Sequence, residues 1–173
     1  STGENRINNL SDFPVDRIHG TYFLTRTNLD DTHFELSSPE IDDIRINQTA
    51  QTVDFITRHG GIAILFNHIG RPNGRYVPDL RTDHIAAALE KVLRKTVKKT
   101  NGVLLSDGKF KLIGEEERQA VSEMQPGDIL MLENTRMDFR EQSENPSERL
   151  ELAREIAGLA PKGKAVYVMD GFP

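Results

Sequence analysis

Three arginines stand just past runs of apolar residues. Arg26 follows Tyr22-Phe23-Leu24, Arg71 follows Ile62-Ala63-Ile64-Leu65-Phe66 by way of Asn67-His68-Ile69-Gly70, and Arg136 follows Ile129-Leu130-Met131-Leu132 by way of Glu133-Asn134-Thr135. Short continuous apolar runs are how buried parallel strands read, and open α/β sheets take their ligands beyond the carboxyl ends of such strands. Guanidiniums at three strand ends would converge on one sheet edge, where their chemistry is the binding of an anion. The densest stretch is Asn67-His68-Ile69-Gly70-Arg71-Pro72. An imidazole and a guanidinium three residues apart on a turn can both face an oxyanion, one as a pH-dependent donor and the other as a planar fork. Taken alone, the hexamer also fits a solvated loop with an exposed arginine.

Two further groups carry polar chemistry. Alternation along an extended segment puts Arg26, Asn28 and Asp30 on one side, a cation, an amide and a carboxylate suited to a hydroxy acid. The same triplet also fits a turn with local side-chain-to-backbone bonds. Asp42-Asp43-Ile44-Arg45-Ile46 opens a helix, with an Asp as cap and Arg45 either in the anion site or in a surface pair contributing under about 1 kcal/mol.

Positioning these residues requires alternating strands and helices. The pattern predicts strands over Thr21 to Thr27, Ile62 to Phe66, Val103 to Leu105, Ile129 to Leu132 and Ala165 to Met169. It predicts helices over about Asp42 to Arg58, Asp79 to Thr96, Glu115 to Met124 and Ser147 to Leu159, the last capped by Asn145 or Ser147. His59-Gly60-Gly61 ends the first helix, and Arg71-Pro72-Asn73-Gly74 is a turn because Asn-Gly tolerates positive φ. Such alternation implies an α/β fold of three layers, a doubly wound, mostly parallel sheet with helices on both faces. Residues 1–20 are polar and aperiodic and read as an extended lead, with 21–173 as a single domain.

Composition sets the outer bounds. The chain has 173 residues, enough for one ordinary domain with a real core, and its 36% hydrophobic and 28% charged residues are globular in character. A net charge of -5 argues against a general nucleic-acid or anionic-membrane binder, so an anion must be met locally. The absence of cysteine excludes disulfides, thiol nucleophiles and zinc–thiolate sites. No apolar stretch approaches the roughly 20 residues of a membrane helix, and a soluble, cytoplasmic protein is expected.

The ensemble of motifs, in this order, resembles the N-terminal domain of phosphoglycerate kinase, over about Tyr22 to Phe172. Leu24-Thr25-Arg26-Thr27-Asn28-Leu29-Asp30 is similar to the family's first strand end, and Asp42-Asp43-Ile44-Arg45-Ile46 to its Asp-x-x-Arg-Ile helix start. Asn67-His68-Ile69-Gly70-Arg71-Pro72 matches Ser-His-Leu-Gly-Arg-Pro, and Leu132-Glu133-Asn134-Thr135-Arg136-Met137 matches Leu-Glu-Asn-Leu-Arg-Phe. The chain's last stretch, Val166-Tyr167-Val168-Met169-Asp170-Gly171-Phe172-Pro173, matches Val-Tyr-Val-Asn-Asp-Ala-Phe-Gly.

The resemblance implies a glycolytic enzyme moving a phosphoryl group between 1,3-bisphosphoglycerate and ADP. It implies that His68, Arg71 and Arg136 hold the non-transferring phosphate of 3-phosphoglycerate, while Arg26 and Arg45 address the carboxylate end. Arg45 would also stabilise the phosphoryl group in flight, by charge placement on a loose, in-line transition state. The family has Asp then Asn where this chain has Asn28 then Asp30, moving one negative charge about 6–7 Å along the strand and altering hydroxyl recognition. No metal ligand or cofactor is expected in this chain, which carries no Gly-x-x-x-x-Gly-Lys-Ser/Thr loop. Mg-ATP or Mg-ADP is implied for a second, nucleotide-binding domain, the expected partner, and the complete protein is expected to be a monomer. The chain as given is expected to be half an enzyme, binding its acceptor without turnover. Two alternatives stay open: a degenerate anion-binding or interaction module, and an unrelated doubly wound domain in which Arg26, Arg45, Arg71 and Arg136 do not meet.

Overall fold

All six strands of the main sheet run parallel, and the side chains of its four central strands alternate between two separate apolar layers. A computed structural model describes residues 5–7, 9–29 and 39–169, the side chains of 5–7 and 39–43 aside. The strands are β1 (Asn5–Ile7), β2 (Tyr22–Arg26), β3 (Ile62–Phe66), β4 (Lys98–Lys99), β7 (Ile129–Met131) and β8 (Ala165–Val168), in the order β1-β8-β2-β3-β7-β4. The helices are α1 (Pro39–Arg58), α2 (Asp83–Leu93), α3 (Glu115–Ser122) and α4 (Pro146–Ala157). On one face Phe23, Ala63, Leu65, Met131 and Val166 pack with Val53 and Ile56 of α1 and Ile85 and Leu89 of α2. On the other, Leu24, Ile62, Ile64 and Leu130 pack with Ala120 and Val121 of α3 and Leu152 and Ile156 of α4. This is the three-layer, doubly wound α/β architecture, and it explains why the strands read as continuous apolar runs: both faces are covered.

Local chemistry sets the boundaries. Asn145 caps α4, its side chain accepting from the Ser147 backbone N–H at 2.9 Å, with Pro146 in the first turn where its missing N–H costs nothing. Asn73 and Gly74 both adopt positive φ, 56° and 75°, as the Pro-Asn-Gly turn requires. A side chain at Gly74 would also meet the Phe139 backbone at 2.9 Å, so glycine is needed there twice over.

The structure departs from the pattern in three places. The leading segment contributes β1, which pairs parallel with β8, and two 3-10 turns that bury Leu10 and Ile18 in the core. Val103-Leu104 (β5) does not join the main sheet but pairs antiparallel with β6 (Phe110–Lys111), and the sheet's edge position is taken by Lys98-Lys99. Two lysines give no apolar signal; the strand persists because Lys99 reaches a buried carboxylate. The helix expected over about Asp79 to Thr96 is split into a 3-10 turn, Pro78–Leu80, and α2, which stops where Arg94 turns left-handed at φ 55°.

The loop after β7 is fastened to α4 by Arg140, a guanidinium only 1% exposed. It binds Asp138 through Nε and Nη2 at 3.0 Å each, and Glu151 and Glu155 on the helix. Burial alone would press Arg140 toward neutrality, but the Glu155 and Asp138 carboxylates outweigh it and hold its pKa above the ordinary arginine value. Arg140→Met strands the buried Asp138 carboxylate, so urea unfolding is expected to show a loss of about 3 kcal/mol; a loss under about 1 kcal/mol would contradict a role for this pair in holding α4.

Candidate functional site

The carboxyl ends of β2, β3 and β7 finish level, since Arg26 pairs in register with Phe66 and Leu65 with Met131. Beyond them the chain turns three times, and two buried carboxamides sew the turns together. Asn67 accepts the Leu29 N–H on its Oδ1 at 3.2 Å, while its carbonyl accepts from both the backbone N–H and the hydroxyl of Thr135, at 3.0 and 3.2 Å. Asn134 accepts from the N–H groups of Ile69 and Arg136 at 3.1 Å and donates to the carbonyls of Ile69 and Leu80 at 2.8 and 3.0 Å. These bonds replace a strand ladder where the ladder has ended, and fix the backbone from which the polar side chains project.

Behind them lies a fully buried carboxylate, Glu133. It accepts the N–H groups of Thr82 and Asn134 at 3.0 and 2.6 Å, and Lys99 Nζ at 2.7 Å, with Arg81 Nε at 3.6 Å. Thr82 is the N-cap of α2, so this charge sits at the positive end of the helix dipole as well as between two cations. Arg81 in turn holds the Asp83 carboxyl below the usual carboxylate range.

Of the residues expected to form an anion site, Arg26 and His68 touch directly. Arg26 Nη2 lies 3.3 Å from His68 Nδ1. A guanidinium only donates, so Nδ1 is the acceptor in this contact. Arg136 is half-buried, its Nη1 donating to the Gly70 carbonyl at 3.3 Å, and its own carbonyl accepts the Gly74 N–H at 3.1 Å. The Gly70–Gly74 turn therefore folds over Arg136, and Arg71 stands exposed upon it; Gly70 makes the bend at φ 63°. Asn28 is exposed beside Arg26's strand end. Arg45 is exposed on α1, which connects the parallel strands β2 and β3 and so runs against them; thirteen residues before the helix end, it stands about 20 Å up, near the level of the strand tips. Asp30 and the segment Asp170-Gly171-Phe172-Pro173 lie outside the described residues, as do the side chains of Asp42 and Asp43.

Several polar residues here were not anticipated. Glu141 lies 3.5 Å from Arg136 Nε, and Glu133 and Lys99 form the buried pair. A carboxylate directly after a buried apolar run, as at Leu132-Glu133, was a readable signal; Glu141, in a polar loop, offered none. Between the edge and α4 is a cavity of about 270 Å³, lined by Arg26, Asn67 and His68 on its polar side and by Leu152, Ile156 and Tyr167 on its apolar side. Among the described residues no group of three or more His, Asp or Glu could hold a metal ion, and no helix is long and apolar enough to cross a membrane.

The phosphoglycerate kinase family profile matches residues 24–173. The chain belongs to the phosphoglycerate kinase family. It is 34% identical over 131 residues to a phosphoglycerate kinase of Moorella thermoacetica, covering 76% of this chain and 29% of that protein. It is 33% identical over 167 residues to one of Corynebacterium urealyticum, covering 96% and 38%. Among solved structures, a phosphoglycerate kinase from Pyrococcus horikoshii OT3 superposes with a TM-score of 0.65 at 21% identity, covering 88% of this chain and 35% of that one. One from Coxiella burnetii gives 0.63 at 22%, covering 94% and 35%. These structural likenesses establish the fold, and the chain spans roughly a third of the length of the phosphoglycerate kinases it matches.

Two outcomes follow from the supports of the site. Asn134→Ala leaves four backbone groups without their partner and is expected to lower stability by about 3 kcal/mol in urea unfolding. Because Asp83's pKa is depressed in the folded state, its contribution is present above the ordinary carboxylate range and lost as pH falls through the folded value. Stability should therefore fall as pH drops below the ordinary carboxylate range, less steeply in Asp83→Asn; equal slopes would show that the pairing with Arg81 has no weight.

Proposed function

We propose that this chain is the acceptor-binding half of a phosphoglycerate kinase-like enzyme, the part that holds 3-phosphoglycerate or 1,3-bisphosphoglycerate while a phosphoryl group passes to or from a nucleotide. The observation that carries this reading is the clustering at one sheet edge of the Arg26–His68 contact and the Arg136–Gly70 turn bearing Arg71. His68, Arg71 and Arg136 take the non-transferring phosphate, and Arg26 and Arg45 take the carboxylate end, where the transferring group arrives. An arriving dianion draws donors from both sides of the Gly70 bend, and backbone already fixed by Asn67 and Asn134 needs no reorganisation to receive it.

In this reading the Mg-nucleotide belongs to a second domain of the complete protein, and this half does not turn over alone. A cytoplasmic monomer is the setting that such an enzyme implies.

The Asn28/Asp30 exchange favours a second reading, an anion-binding module without kinase activity. Calorimetric titration separates the two. Saturable binding of 3-phosphoglycerate that weakens about tenfold or more in Arg71→Ala, the loss of one charge-assisted contact, supports the first. Arg71 is exposed, so that variant keeps its fold. No detectable binding by a folded chain supports the second.

A further inference from the structure

One edge of the main sheet is β4, and the outer side of that strand is occupied at two points. The Thr100 N–H donates inward to the Met131 carbonyl at 3.1 Å, in a strand that pairs Lys98 with Leu130 and Lys99 with Met131. Alternation turns the N–H and carbonyl groups of Val97, Lys99 and Asn101 away from the sheet. Two glutamates, from helices on opposite faces, hold the first and last of these donors. Glu90 of α2 accepts the Val97 N–H at 3.0 Å, and Glu116 of α3 accepts the Asn101 N–H at 3.1 Å and the Asn101 side-chain amide at 3.0 Å. Both glutamates belong to exposed helix positions, so these bonds stand at the surface of the edge. The Lys99 side chain does not run out into solvent but is drawn back to the buried Glu133 at 2.7 Å, leaving it 10% exposed. Unpaired outward N–H groups on an edge strand are a template for another strand, and carboxylates that occupy them deny it.

We propose that the outer edge of β4 is an interface for a second copy of this chain, held closed by Glu90 and Glu116. A two-fold axis at Lys99 sets the two β4 strands antiparallel, with Lys99 opposite Lys99 and Val97 opposite Asn101. In that register the outward groups form the hydrogen-bonded pairs: Val97 and Asn101 exchange both of their bonds on either side of the axis, and the two Lys99 residues exchange theirs. The donors that the glutamates occupy are therefore the ones a second copy needs. Charge permits the same register. Lys98 falls opposite Thr100 and not opposite another lysine, and each of the facing Lys99 side chains is neutralised by its own Glu133. An isologous contact of this kind closes at two copies, so opening the edge gives a dimer with one continuous sheet and no fibre. The proposal goes beyond the phosphoglycerate reading and does not depend on it, since the outer side of β4 contributes nothing to the anion site.

The test is sedimentation equilibrium of the chain at up to about 1 mM, with nitrogen-15 amide shifts followed over the same concentrations to locate the contact. In Glu90→Ala/Glu116→Ala both outward donors are released, and since alanine is a stronger helix former than glutamate, α2 and α3 are kept. The expected result is dimerisation at least about tenfold tighter than in the unaltered chain, with concentration-dependent shifts at Val97, Lys99 and Asn101. Glu90→Gln/Glu116→Gln retains an acceptor oxygen at each donor and should behave as the unaltered chain does. The proposal is overturned by a folded double-alanine variant that associates no more tightly than the unaltered chain, by a glutamine variant that associates as tightly as the alanine one, or by shifts that lie outside residues 96–102. Should the double-alanine variant not fold, Glu116→Ala alone decides, because its bonds are exposed: tighter association through Asn101 supports the proposal and no gain overturns it.

Discussion

The edge of this protein depends on two side-chain amides. A parallel sheet ends with its strands' last carbonyls and the following N–H groups unpaired, and the connecting loops run off in different directions toward α1, α2 and α4. Asn67 and Asn134, both buried, supply donors and acceptors at the spacing that those loops lack, tying the chain after β2 to that after β3 and the chain after β3 to that after β7. Because neither amide is charged, they do this without adding a field of their own, and the cations at the rim remain available to a ligand.

Charge is distributed accordingly. The fully buried carboxylate of Glu133 is matched by Lys99, Arg81 and the N-terminus of α2, so its charge is neutralised away from the rim. Arg140 is consumed by Asp138 and the acidic face of α4. Arg26 and Arg71 are left exposed, and Arg136 leans on a backbone carbonyl with a longer approach to Glu141. A chain with net charge -5 thus keeps a local cationic rim, the electrostatic requirement for taking a small anion without binding polyanions in general.

Much of this was legible from residues in order. Continuous apolar runs at Ile62 to Phe66 and Ile129 to Leu132 marked strands covered on both faces, and the polar residues that followed marked the carboxyl edge of the sheet. What was not legible depended on partners distant in the chain. Lys98-Lys99 is a strand because Met131 and Glu133 lie beside it, and Val103-Leu104 leaves the main sheet to pair with Phe110-Lys111. The leading segment looked polar throughout, yet Leu10 and Ile18, two isolated apolar residues, anchor it in the core. The same holds at the candidate site: the arginines' place at the strand ends was evident from position, whereas Asn67's half-used amide and Glu141's bare oxygen exist only once three loops and α4 are brought together.

The central claim is that one anion is received where the loops after β2, β3 and β7 meet. Mapping amide chemical shifts during titration with 3-phosphoglycerate tests it most directly. The account predicts saturable shifts concentrated at Arg26, at residues 67–71 and at residues 135–137, with α3 and the β5–β6 pair unmoved. Shifts centred on α3 or the β5–β6 pair, or none at all from a folded chain, would contradict it.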